Sequence, residues 1–380
     1  MTPLRVPDAL TPRRRTVLAW TALGLAILLL LVGSLTVWVK RQALDTNSWV
    51  DASSRLLEDD DVRELAAAEL VDALFSGPDL EGRIRRLLPP EVQGLAGPAT
   101  GLLREAALPA AEDLLARPAT QRLWREANRR AHQRLLALLD GDDSGLLRSS
   151  GGDVVLDLRP LVERLGDRIG LTPALPPGAG QVTILRSERL GAAQEAVKAI
   201  RTLSVLLVVV VVVLLGVALW LAEGFRRRML VALAAGLIGV GGVLLVVRRV
   251  AGDAIVDALT DPVTRDAGRA VWLIGTDLLR DLALALLLYG VLLLAGAWLA
   301  GPARRAVAAR RRLAPVVRDH PVAIWGAGAA LLLAVLVWGP SSGSRRLLGI
   351  LVLAALVAAG VEALRRVILA EDVPGPPGAT

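Results

Sequence analysis

The order of apolar and polar positions divides the chain into six long apolar runs and two extended polar stretches. The runs cover residues 16–39, 203–221, 229–247, 283–301, 322–338 and 347–364. Crossing a hydrocarbon core of about 30 Å takes about 20 helical residues, so each run has the length of a membrane span. The pattern predicts a mainly α protein: a six-helix transmembrane bundle, with a large and mostly helical extracytoplasmic domain at 40–201 inserted between spans 1 and 2. Three arginines precede the first run in the manner of a signal peptide. Its apolar core, however, exceeds the roughly 7–15 residues of a signal h-region, and "VWVKRQALD" after it has no small-residue cleavage site, so it is expected to remain as an anchor.

Within 40–201 the periodicity is mostly helical. "DDDVRELAAAELVDALF" opens on Asp at an N-cap and places Asp61, Glu64 and Asp72 on one side of a helix. Further helices are predicted over 100–116 and 119–139, each preceded by proline-containing punctuation. The alternating runs "DVVLDL" and "QVTILR" predict a small two-strand element around a helix in "RPLVERLGDRI". After Ser187 no breaker interrupts the chain before the second apolar run, which predicts one long helix leading into the membrane. The second polar stretch, 248–282, reads as an amphipathic segment. Its Asp253, Asp257 and Asp261 recur every four residues, the spacing of a wet helical face more often than of a cation site.

Charge orients the threading. Arginines cluster at 13–15, 226–228, 301–321 and 365–366. All four clusters fall on one side if the N-terminal residues 1–15 are cytoplasmic, together with the basic loop 302–321 and the tail 365–380. Arg248–Arg249 and Arg345–Arg346 fall on the other side. Trp20, Trp38, Trp220, Trp298, Trp325 and Trp338 lie near run ends, where an indole can reach the interface. Although the chain carries a net charge of +7, residues 41–201 hold 21 Lys or Arg against 25 Asp or Glu, so the excess flanks the apolar runs. That distribution belongs to membrane topology and argues against nucleic acid as a partner. With no cysteine, the chain has no disulfides, thiolate metal sites or cysteine nucleophiles.

Five segments carry a resemblance: "LDTNSWV" followed by "LLEDDDVRELAAAELVDALF", "RLWREANRRAHQRLLALLDG", "GDVVLDLRPLVERLG", "VTILRSERLGAAQ" and the post-span "RRRML". Together they resemble a group of multi-pass integral membrane proteins of high-GC Gram-positive, actinobacterial type. The resemblance implies a multi-pass membrane protein and brings no activity, cofactor or catalytic residue with it.

Candidate chemistry is sparse. The apolar runs contain no Asp, Lys, Arg or His, and their one acid, Glu362, sits within a turn of Arg365 and Arg366, which argues against ion-coupled transport. There is no G-x-S-x-G, H-E-x-x-H or Walker motif, and two histidines do not make a His-rich metal centre. No catalytic residue, metal ligand or cofactor is nominated. Small residues at Ala232, Ala235, Gly236 and Gly239 predict close helix packing. "GDDSG" at 141–145 reads as a loop leaving a helix, and His320 as a polar flank.

The remaining candidate is "RLWREANRRAHQRLL", which stacks Trp124, Asn128 and His132 four residues apart. At about 100° per residue, Ala127, Asn128, Ala131, Leu135, Leu138 and Leu139 fall within about 60° of Trp124, and His132 lies on the border at about 80°. The expectation is a packing helix first and a binding site second, with Trp124 inside the stripe and His132 at its edge. The favoured function is a non-enzymatic membrane protein whose outer domain contacts an envelope protein partner, with the lipid bilayer holding its spans. The alternative is a passive transport or channel-like component with a solute-capturing outer domain.

Overall fold

The structure, a computed structural model, describes residues 11–75, 96–141, 147–150, 153–157, 181–185 and 187–319, and scattered positions between 325 and 365. It is mainly helical. In chain order the described elements are α1 (Pro12–Leu44), α2 (Thr46–Glu58), α3 (Asp60–Phe75), α4 (Ala96–Ala116), α5 (Pro118–Asp140), β1 (Leu147–Ser150), β2 (Asp153–Asp157), β3 (Gln181–Leu185), α6 (Ser187–Leu221), α7 (Arg226–Leu259), α8 (Arg265–Gly275), α9 (Asp277–Leu299) and α10 (Arg304–Asp319).

Four of these helices, α1, α6, α7 and α9, are long and apolar enough to cross a membrane; they hold the first three apolar runs and residues 283–299 of the fourth. Most of the fifth and sixth runs, the helix expected in "RPLVERLGDRI", most of "GDDSG" and His320 lie outside the described residues. As its sequence predicts, α6 runs without a break from Ser187 to Leu221.

The chain divides into two compact units. One comprises Met1–Trp38, Ser204–Val250 and Asp277–Thr380. Its apolar packing falls in two clusters: Ala19 and Leu23 of α1 against Ala218, Leu221, Ala222, Met229 and Leu233, then Val240 and Leu244 of α7 against Leu279, Ala283 and Leu286 of α9. Glycine permits the closest approaches. A Cβ at Gly290 would stand 2.7 Å from Ile238 Cγ1 and 3.0 Å from the Ala234 carbonyl oxygen, and one at Gly241 would stand 2.7 Å from the Ala283 carbonyl oxygen. Gly236 meets Ile27 as the small-residue spacing predicts, whereas Ala235 and Gly239 face outward.

Three arginines close helix C-termini, whose last carbonyls have no partner within the helix. Arg15 Nε donates to Leu221 O at 2.8 Å, Arg227 Nε to Ala297 O at 3.0 Å, and the buried Arg310 to Leu299 O and, at 2.8 Å, to Gly301 O. Arg310 thus draws residues 304–319, expected as a basic loop, into α10. Trp38 departs from the interfacial expectation: it packs against the second cluster, and its Nε1 is buried with no partner among the described residues.

The other unit comprises Val39–Leu203 and Ala251–Thr276. Asp45, in extended conformation, breaks the helix after Leu44 and caps α2 by accepting from Ser48 N at 2.9 Å. Asp59 does the same for α3, accepting from Val62 N at 3.3 Å. α3 packs on α4 through Ala67, Val71 and Ala111, with Arg104 paired to Asp72. The three strands form an antiparallel sheet in the order β1-β2-β3, in which β2 and β3 hold the two alternating runs.

The second polar stretch joins this unit. α7 continues as helix to Leu259, and α8 packs on both α2 and α3. Two of the three aspartates spaced by four are met by α8: Asp253 pairs with Arg269 at 3.5 Å and Asp257 with Arg265.

Candidate functional site

α5 starts with Pro118 at its first turn, is stitched by the Glu126–Arg130 pair at 2.7 Å, and ends at Gly141, whose φ of 77° suits glycine. It lies along α2, and the face it turns to α2 is not the one the apolar count selects.

His132 is the centre of the contact, with 3% of its surface exposed. Its Nε2 donates to the Ala43 carbonyl at 3.1 Å, since a carbonyl can only accept. In the neutral ring Nδ1 then accepts from Thr46 Oγ1, also at 3.1 Å. The imidazole stacks on Trp49 with centroids 5.0 Å apart and planes 21° from parallel. Beside it Arg129 donates to Asn47 Oδ1 at 2.9 Å. The side chain expected at the border of the stripe is therefore its buried hub.

Trp124 remains 43% exposed; its Nε1 donates to Ser53 O at 2.9 Å while the ring lies at the surface. Asn128 is half-buried, and its Nδ2 donates to Trp124 O at 3.0 Å, within its own helix. The structure thus keeps the three residues on one helix but does not converge them on one pocket. Thr46, Asn47 and Trp49, which complete the contact, were not among the predicted positions. Asp45 as an N-cap signals where α2 starts, but nothing local pairs Trp49 with a residue 83 positions away.

Both ring nitrogens of His132 are engaged and its ring is covered, so it fastens α5 to the junction of α1 and α2. Among the described residues no group of three or more His, Asp or Glu side chains is placed to hold a metal ion. Four helices of membrane-crossing length and apolarity, which leave side chains such as Val205, Val209, Val212 and Val213 exposed, define an α-helical membrane protein. No family model matches the chain, and neither a curated protein nor a solved structure is similar to it.

Proposed function

We propose that the chain is a multi-pass protein of the cell membrane with cytoplasmic termini, six spans, and an extracytoplasmic domain that binds another component of the envelope. The observation that carries this reading is the packing of α8 on α2 and α3. Two polar stretches separated by two apolar runs make one folded body, which supports a threading in which both lie on the same side of the bilayer and the runs 203–221 and 229–247 form a returning hairpin. A body of this kind, assembled from two excursions of the chain, is built for recognition on one side of the membrane. The turn between α7 and α8 offers an apolar contact point, with Leu259 and Val263 almost fully exposed.

A photo-crosslinking amino acid at Val263, which is 94% exposed, tests the reading in intact cells. Reproducible capture of one envelope protein is expected. Solute flux through proteoliposomes that contain this chain alone, with no captured protein, would replace the reading by the transport alternative.

A further inference from the structure

Three consecutive arginines open α1, and the helix turns them to different sides. Arg15 faces the packed side, where it donates to Leu221 O and pairs with Glu223 at 2.9 Å. Arg13 and Arg14 are exposed and make no ion pair among the described residues. At about 100° per residue, Arg13, Arg14, Val17, Leu18, Leu25 and Leu28 fall within an arc of about 140°. The buried Ala19 and Leu23, packed on α6 and α7, lie opposite. Cations and apolar side chains thus share the one face of α1 that is left uncovered, with Val17 58% and Leu28 57% exposed. A cleft of about 320 Å³ is lined, among the described residues, by Arg13, Arg14, Val17 and Leu18. Farther along the same face Gly24 leaves a notch, where an added Cβ would meet nothing within 4 Å.

This pattern selects one kind of ligand. Because α1 is long and apolar enough to cross a membrane, its exposed apolar face meets lipid. From Val17 to Leu28 the helix rises about 17 Å, close to half of a hydrocarbon core of about 30 Å, which is the depth of one leaflet. Arg13 and Arg14 stand about one turn before that stretch, at the level of the headgroups. A guanidinium holds a phosphate through a two-point fork, and its stem can stay in apolar surroundings while its head reaches the interface. A soluble anion or an acidic peptide would answer the arginines and leave the leucines bare. An amphiphile with an anionic head and an acyl tail answers both. Net negative charge is favoured, since a zwitterionic headgroup carries its own cation beside the phosphate.

We propose that this face of α1 is a binding site for an anionic phospholipid of the phosphatidylglycerol type. Arg13 and Arg14 hold its phosphate, and an acyl chain lies along Val17, Leu18, Gly24, Leu25 and Leu28. The whole site is on one helix. The proposal rests on the membrane-protein reading for the crossing of α1 and is independent of which end of α1 is cytoplasmic.

Because the chain has no cysteine, a small fluorophore can be attached at single positions of the full protein. Leu25→Cys places it on the proposed site, and Val212→Cys places it on exposed apolar surface of α6. Leu25 lies nine residues after Thr16 and Val212 nine before Leu221, so the two labels sit at similar depth. The protein is reconstituted in phosphatidylcholine liposomes with a minor fraction of either phosphatidylglycerol or phosphatidylcholine carrying brominated acyl chains, and quenching by the two is compared. At Leu25→Cys, phosphatidylglycerol should quench as though bound about fivefold more tightly, the weight of one cationic contact at an anionic headgroup. Arg13→Gln/Arg14→Gln should bring that ratio to about one at Leu25→Cys and leave the ratio at Val212→Cys unchanged. Arg13→Lys/Arg14→Lys, which keeps both charges, should retain a preference above about twofold. Equal quenching by the two lipids at Leu25→Cys, or a preference that survives the glutamine pair, overturns the site. Quenching at Val212→Cys but not at Leu25→Cys assigns the face to protein, a second copy or another part of the chain, and overturns it as well. No quenching at either position overturns the membrane crossing beneath it.

Discussion

Replacing His132 by alanine removes the ring that fastens α5 to the α1–α2 junction. The substitution ends two hydrogen bonds, worth about 0.5–1.5 kcal/mol each, and leaves the Thr46 hydroxyl without its partner. It also removes the stack on Trp49, worth about 0.5–1.5 kcal/mol, and opens a void beside Ala43. Water reaching the exposed Trp49 edge offsets part of this, so a net loss of about 2–4 kcal/mol is expected. The assay uses Ser53→Cys, a near-isosteric thiol buried on α2, in the full chain in lipid nanodiscs. Its maleimide reaction rate measures how often the α2–α5 contact opens. At 1.4 kcal/mol per factor of ten, His132→Ala should speed the reaction about 30- to 700-fold. His132→Phe, which keeps a ring on Trp49 but loses both hydrogen bonds, should fall between it and the parent. Trp124→Ala, with its indole already half in solvent, should cost less than His132→Ala. A rate change below about threefold for His132→Ala, well within the 0.5 kcal/mol typical of surface positions, together with a large one for Trp124→Ala, would refute the burial argument and restore the order that the apolar stripe suggests.

Three further outcomes are expected. An impermeant maleimide applied to sealed cells should label Asp261→Cys in the α7–α8 turn and spare Ala308→Cys on α10; the reverse pattern would overturn the orientation. Gly290→Ala should destabilise the α7–α9 contact by about 1–3 kcal/mol, because the added methyl meets the Ala234 carbonyl, which cannot rotate away; thermal unfolding in detergent checks this, with Gly239→Ala, which meets nothing, as the neutral comparison. A fragment of residues 41–201 should fold but melt below a version with residues 251–276 fused to it, since α8 covers part of α2 and α3; equal melting temperatures would show that α8 contributes no stability.

Membrane-crossing character was legible because an apolar run needs no knowledge of its neighbours: its length against the hydrocarbon thickness decides it. Helix boundaries in the polar part were also legible where a local cap writes them, as at Asp45, Pro118 and Gly141. The facing of α5 was not. Counting apolar residues assumes that the richest stripe turns inward, but α2 presents Thr46 and Asn47, and these polar partners select His132 and Arg129 from the opposing helix. The helical state of 304–319 was hidden for a related reason. Six arginines between 301 and 321 read as a basic loop, while Arg310, buried, does the anchoring through carbonyls that no sequence pattern marks.

The union of α8 with α2 and α3 also sets an order of events during synthesis. Residues 46–75 leave the ribosome long before residues 265–275, and two apolar runs of membrane-crossing length are made in between. At roughly 5–20 residues per second, about 4–15 s pass between the emergence of Arg201 and that of Thr276. Throughout that interval the surface of α2 and α3 that receives α8 stays open to chaperones and proteases. Under the proposed threading, closure of this body depends on the second and third runs being inserted as a pair: a chain that failed to return across the membrane would leave α8 on the other side from α2 and α3, and the body they share incomplete.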